Sequence, residues 1–217
     1  MKNLFFLFIL FGFLNVFNQE NPINLDPIER LERGNQRFID GKPSHPNETA
    51  LRIRQLKDGQ RPFVTVVSCS DSRVPPELVF DQGFGDIFSV RTAGHVIDDL
   101  ELGSIEYAVE HLHCSLIVVL GHTHCGAVKA FVDSKGDYKH MDHLKSVMDF
   151  IGNEVEEKRL IASDSLSLEK AIDANIFHDV HLLRSSTPIL ADHYYSKKVQ
   201  IIGALYDIET GKVRFYK

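Results

Sequence analysis

Two stretches of this chain share one design, and together they restrict its fold more than anything else in the sequence. Phe63 to Arg73 reads FVTVVSCSDSR, and Leu116 to Gly126 reads LIVVLGHTHCG. In each, a short run of almost wholly apolar, largely β-branched residues breaks off into side chains able to ligate a metal: Cys69 and Asp71 in the first, His122 and Cys125 in the second. Runs without a polar face read as parallel strands covered on both sides of a sheet. In an open α/β sheet, ligands gather in the crevice beyond the carboxyl ends of the strands, which is where these four side chains fall.

The rest of the chain alternates strand and helix patterns around that pair. Asp26-Pro27-Ile28-Glu29 reads as a helix start, with Asp26 as N-cap and Pro27 at the first helical position. Ile28, Leu31 and Phe38 give that helix an apolar stripe, and Gly41 with Pro43 ends it. A more polar helix is expected from Thr49 to Lys57, completing an N-terminal helical extension. Glu77 to Phe80 begins a short helical or irregular piece, Ile87 to Arg91 is a strand, and Thr92 to His95 stands where another strand end would be. Glu101 to His113, Gly126 to Val132, about Leu144 to Arg159, Leu168 to about Arg184, and Ile189 to Tyr195 carry helical spacing. Val199 to Tyr206 reads as a further buried strand, followed by a turn at Asp207 to Gly211 and a C-terminal edge hairpin over Lys212 to Tyr216. The pattern predicts an α/β fold, with a central, mainly parallel β-sheet flanked by helices. No repeat or linker divides residues 21–217, so they are expected to form a single domain. Residues 1–20 carry one lysine and then an apolar run from Leu4 to Leu14, the form of a signal peptide, too short to span a bilayer comfortably. The expectation is export to a periplasm or the exterior, or membrane anchoring if the segment is not cleaved.

Two thiolates and an imidazole suit Zn²⁺, whereas Ca²⁺ or Mg²⁺ would call for oxygen. Cys69, His122 and Cys125 make three ligands, the number typical of a catalytic zinc with its fourth position open. Asp71 is the ambiguous fourth. If Arg73 holds it in a paired, charge-assisted hydrogen bond, the position stays open; if not, Asp71 closes the site. His124, between two ligands, is expected to point elsewhere. Three cysteines are too few for a disulfide framework, and Cys114, next to an apolar strand, reads as a small core residue. A net charge of −6 without a basic stripe argues against a nucleic-acid partner. The residues alone leave open a metal-stabilised protein without activity, closed by Asp71, and a thiol enzyme with Cys69 as nucleophile and His122 as base.

Cys69-Ser-Asp71-Ser-Arg73 and Gly121-His122-Thr-His-Cys125-Gly126 resemble the two signature motifs of the β-class carbonic anhydrases, over roughly Asp26 to Lys217. The resemblance implies a lyase that hydrates CO₂ reversibly to bicarbonate through hydroxide on one zinc per subunit. It also implies substrate-pocket roles for Gln60, Phe88 and Tyr107, matching the plant-like, open-site group, with Asp71 and Arg73 as catalytic-site residues. In that family the glutamine reaches a neighbouring subunit's zinc, which implies a homodimer or a higher even oligomer. Relatives that hydrolyse carbonyl sulfide or carbon disulfide use the same three ligands and are the alternative within the fold. His95 stands where the family often has asparagine, and proton transfer is one role for it. His111, His113, His140, His143, His178, His181 and His193 read as surface or helix-face residues.

Overall fold

The computed structural model describes residues 25–139 and 142–216. The signal-peptide reading of residues 1–20 lies outside these, and so does His140. Among the described residues, five strands form one sheet in the order β2-β1-β3-β4-β5. They are β1 (Val64–Cys69), β2 (Ile87–Thr92), β3 (Leu116–His122), β4 (Gln200–Tyr206) and β5 (Val213–Tyr216). All neighbours pair in parallel except β4 with β5, the antiparallel edge hairpin. The predicted mainly parallel α/β architecture is therefore the one observed.

Every residue of β1 and β3 is buried, as their unbroken apolar character requires. Side chains alternate across the pleat, so each strand feeds two cores. Val67, Ile117, Val119 and Ile201 face one side, packed with residues of α4 (Asp99–Glu110), α5 (Gly126–Asp133), α6 (Leu144–Asn153), α8 (Leu168–Ser185) and α9 (Ile189–Tyr195). Val64, Val66, Leu116, Val118, Leu120 and Ile202 face the other, beneath α1 (Pro27–Ile39) and α3 (Pro76–Val79). Ile176 and Leu183 of α8, both fully buried, lie over the sheet centre.

Local signals explain the ends of several elements. The Asp26 carboxylate accepts hydrogen bonds from the N–H groups of Ile28 (2.9 Å) and Glu29 (3.4 Å), capping α1. Asp98 and Glu101 form a reciprocal capping box at α4. Asn35 is buried in α1 and ties that helix to the C-terminal hairpin: its Nδ2 donates to Val79 and Gly211 carbonyls, and its Oδ1 accepts from Val213 N–H.

Two segments differ from the sequence reading. Thr92 to His95 is not a simple strand end: β2 runs through Thr92, and then Ala93–His95 makes a 3-10 turn with Gly94 at φ 67°. A Cβ at Gly94 would stand 3.1 Å from that of Ala127, so this turn needs glycine for both its dihedral and its space. The single helix expected over Leu144 to Arg159 is two, α6 and α7 (Val155–Ala162), broken at Glu154, whose ψ of 137° is extended. Leu144, Met148, Ile151 and Val155 keep helical spacing across the break, which is why spacing alone does not reveal it. The polar helix α2 is Ala50–Gln55, shorter than expected but capped by Thr49. Among the described residues, no helix is long and apolar enough to cross a membrane.

Candidate metal centre

The ends of β1 and β3 lie side by side in the sheet, separated from one another by no other strand. Cys69 is the last residue of β1, His122 the last of β3, and Cys125 caps α5. One ligand atom from each of the three lies within 4.8 Å of the others, and all three residues are buried. Sulfur, nitrogen and sulfur thus converge although α3, β2 and α4 all lie between Cys69 and His122 along the chain.

His122 is held in one orientation. Its Nδ1 donates to the Thr123 carbonyl at 2.8 Å, which leaves the lone pair on Nε2. That Nε2 is buried and makes no hydrogen bond. A buried acceptor without a donor is costly unless something electrophilic meets it, and two thiol groups within reach complete a set that suits zinc. The residues present therefore fit the metal.

The surroundings favour thiolate. Cys69 Sγ accepts from the N–H of Gly94 (3.3 Å) and of Asp71 (3.4 Å). The Cys69 thiol is held well below its ordinary range, first by its hydrogen bond with Cys125, against the cost of burial, and then by His122 and the two N–H groups. Cys125 is pushed up, first by that same hydrogen bond and then by burial and the charge on Cys69, while the N–H groups of Val128 and Ala127 pull it down. The direction that the geometry supports for the pair is downward, because N–H donors from the Gly94 turn and from the start of α5 face the sulfurs.

Asp71 is engaged by Arg73 on both carboxylate oxygens: Nε to Oδ1 at 2.9 Å and Nη2 to Oδ2 at 2.6 Å, with the Arg73 N–H adding a third bond to Oδ1 at 2.9 Å. This two-pronged pair, led by the side-chain bond to Arg73, brings the Asp71 carboxyl down to about 2. Arg73 is itself anchored to the His124 carbonyl at 3.3 Å. His124 turns away, its Nε2 lying 3.3 Å from Glu209 on the surface. Phe88 on β2 and Tyr107 on α4 form a ring pair with centroids 6.4 Å apart; Tyr107 is about half exposed. Gln60 is exposed on the segment between α2 and β1. Cys114 is buried, its thiol donating to the Pro62 carbonyl.

Two supporting residues escape the sequence reading, and a third, His95, is placed differently from the proton-transfer role expected of it. Arg91, next to the end of β2, donates to the carbonyls of Cys69 (3.0 and 3.1 Å) and Asp71 (2.8 Å), holding the loop after β1 in place. An arginine inside the strand Ile87–Thr92 is the available signal. Gly94 contributes through its backbone, which no side-chain motif displays. His95 is 2% exposed and donor or acceptor to Asp179 Oδ2 at 2.7 Å through Nδ1 and 3.3 Å from Asn175 Nδ2 through Nε2. So enclosed, it braces the turn and is not placed to exchange protons with solvent.

A family model described as carbonic anhydrase matches residues 64–213. The chain is 37% identical over 194 residues to carbonic anhydrase 2 of Mycobacterium tuberculosis, covering 87% of this chain and 92% of that protein. It is 56% identical over 110 residues to a carbonic anhydrase of Mycolicibacterium smegmatis, covering 49% of this chain and 53% of that one. The solved structure of the β-carbonic anhydrase CcaA superposes with a TM-score of 0.68 at 30% identity, covering 88% of this chain and 96% of that chain. With these likenesses spanning the strands and loops that carry Cys69, His122 and Cys125, the chain belongs to the β-class carbonic anhydrase family.

Proposed function

We propose that this chain catalyses the reversible hydration of carbon dioxide to bicarbonate and a proton, with one zinc ion per subunit held by Cys69, His122 and Cys125. The observation that carries the reading is the Asp71–Arg73 pair. With both carboxylate oxygens engaged by Arg73, Asp71 is withdrawn from the ligand set, and three protein ligands leave a coordination position for water. This favours an open site over a closed structural one. Bound zinc would supply a Lewis acid that makes water acidic enough to act as a nucleophile near neutral pH.

The chain's own residues do the rest. Asp71, kept ionised and aimed by Arg73, accepts a hydrogen bond from water entering the site and so orients its lone pair towards the substrate. Phe88 and Tyr107 offer CO₂ an apolar wall, and Gln60 donates to the carboxylate oxygen as charge develops on it. Gln60 serves the site of a neighbouring subunit, which makes the working unit a homodimer or higher even oligomer. Leu51, Ile53, Leu78 and Phe84, each at least half exposed, support a covered partner surface. The charged start and apolar run of residues 1–20 support export.

The test is zinc analysis combined with stopped-flow hydration of CO₂, run beside hydrolysis assays with carbonyl sulfide and carbon disulfide. One zinc bound through Cys69, His122 and Cys125, seen as sulfur-to-metal charge transfer after cobalt substitution, and CO₂ turnover far above the buffer rate are expected. A fully zinc-loaded protein that leaves the CO₂ rate at background sinks the proposal, and turnover of a sulfur-containing gas alone redirects it.

A further inference from the structure

Behind the thiolate centre lies a second buried polar cluster. Glu154, at the break between α6 and α7, is 5% exposed, and its Oε2 makes no hydrogen bond. One turn on, Glu157 is fully buried with both carboxylate oxygens unpartnered. Facing Glu154 from α8 are Asp179, 2% exposed, and His178, whose side chain is 28% exposed. One ligand atom each from Glu154, His178 and Asp179 lies within 4.8 Å of the other two.

We propose that Glu154, His178 and Asp179 bind a second divalent transition-metal cation, of which zinc is the leading example. Two carboxylates and an imidazole are a borderline donor set, suited to zinc and its first-row neighbours more than to calcium. The imidazole is prepared for this role. His178 Nδ1 bonds Glu156 Oε2 at 3.0 Å, which leaves Nε2 with the lone pair, the arrangement usual for a metal-bound histidine backed by a carboxylate. Asp179 is likewise backed, its Oδ2 bonded to His95. The unpartnered Glu154 oxygen is the feature that calls for a cation, since a buried carboxylate without donors requires either a proton or a positive charge. Burial, followed by the charges of Asp179, Glu157 and Glu156, pushes the Glu154 carboxyl up to about 10.

The cluster is joined to the first site by a short chain of bonds. Asp179 holds His95, Asn175 Nδ2 donates to the Gly94 carbonyl at 2.8 Å, and the Gly94 N–H donates to Cys69 Sγ. A cation bound there braces α7 against α8 and thereby the turn that faces the Cys69 sulfur.

The test uses the full chain in equilibrium dialysis against Zn²⁺, with metal per chain measured directly. Two equivalents are expected for the parent protein and one for Glu154→Gln and for His178→Gln, each variant keeping the thiolate-bound ion. The second equivalent should raise the unfolding midpoint of the parent and leave that of the variants unmoved. Should a variant fail to fold, cobalt decides on the parent protein alone: the second Co²⁺ should add weak visible bands without the intense sulfur-to-cobalt absorption of the first. A parent chain that takes up one equivalent, or a second equivalent that either carries sulfur charge transfer or persists in both variants, overturns the proposal. None of these outcomes depends on the CO₂ assay.

Discussion

The two faces of the sheet treat buried acid in opposite ways. On the α1 and α3 side, Asp81 and Asp86 are each 4% exposed and surrounded by donors. Asp81 receives the Arg37 guanidinium, the N–H and hydroxyl of Ser44, and the N–H of His45. Asp86 receives Arg30, the Asn47 amide and the Gly83 N–H. On the α6 to α8 side, Glu154 and Glu157 are as deeply buried and have carboxylate oxygens without any donor. The sulfurs of the metal centre stand between these cases, provided with N–H groups but arranged around an imidazole nitrogen that has none. Burial by itself therefore says little about an anion; what matters is who donates to it.

The strongest challenge to this contrast is at the centre itself. His122→Ala removes the undonated nitrogen, and loss of the bound zinc together with essentially all hydration activity is expected, readable by metal analysis and stopped-flow; near-normal zinc content would show that the imidazole is not a ligand. Next in size, Asp81→Ala strands Arg37 and the surrounding N–H groups and should cost about 3 kcal/mol in urea unfolding, the order found when a buried ion pair loses one partner. The same residue gives a pH signature. Burial opposes its ionisation, but the Ser44 N–H, Arg37 and the His45 N–H outweigh it and hold the Asp81 carboxyl below its ordinary 3.8. A depressed carboxyl stabilises the fold above its unfolded value and loses that contribution as pH falls through the folded one. The unfolding midpoint of the parent should thus drop below about pH 4, and Asp81→Asn should flatten that part of the curve.

Arg73→Ala sharpens the contrast at the site. Freed from its guanidinium, Asp71 can turn towards the metal, and hydration should slow by about 10–100-fold, the usual range for a residue that orients the groups around a metal. An unchanged rate would mean that the pair does not control the open position. The smallest effect is expected on the opposite side of the sheet. Glu157→Gln removes no hydrogen bond from its carboxylate oxygens, since they have none, and should change unfolding free energy at pH 7 by less than about 1 kcal/mol. A loss as large as that of Asp81→Ala would erase the distinction between the two faces.

The metal centre was legible in the sequence because its residues sit at the ends of two strands whose apolar runs announce themselves. Cys69, His122 and Cys125 each stand within three residues of such an end, so the parallel register of β1 with β3 suffices to bring them together. The Asp71–Arg73 pair could be foreseen for a related reason, since two residues of separation allow few other partners. Glu154, His178 and Asp179 had no such announcement. Glu154 stands at the break between two helices and the other two residues on α8, where His178 reads as an ordinary helix-face residue. His95 was misjudged for the same cause: its partner Asp179 is 84 residues away.

What the sequence determined by itself was the kind of sheet, the strands that carry the ligands and the chemistry of those ligands, because period, apolarity and residue type are properties of short segments. What only the tertiary structure decided was which buried polar atoms find donors. That depends on the packing of α7 on α8 and of the Gly94 turn on the Cys69 sulfur. The reason is geometric: a hydrogen bond is won or lost over a few tenths of an ångström, between groups whose separation along the chain bears no relation to their separation in space.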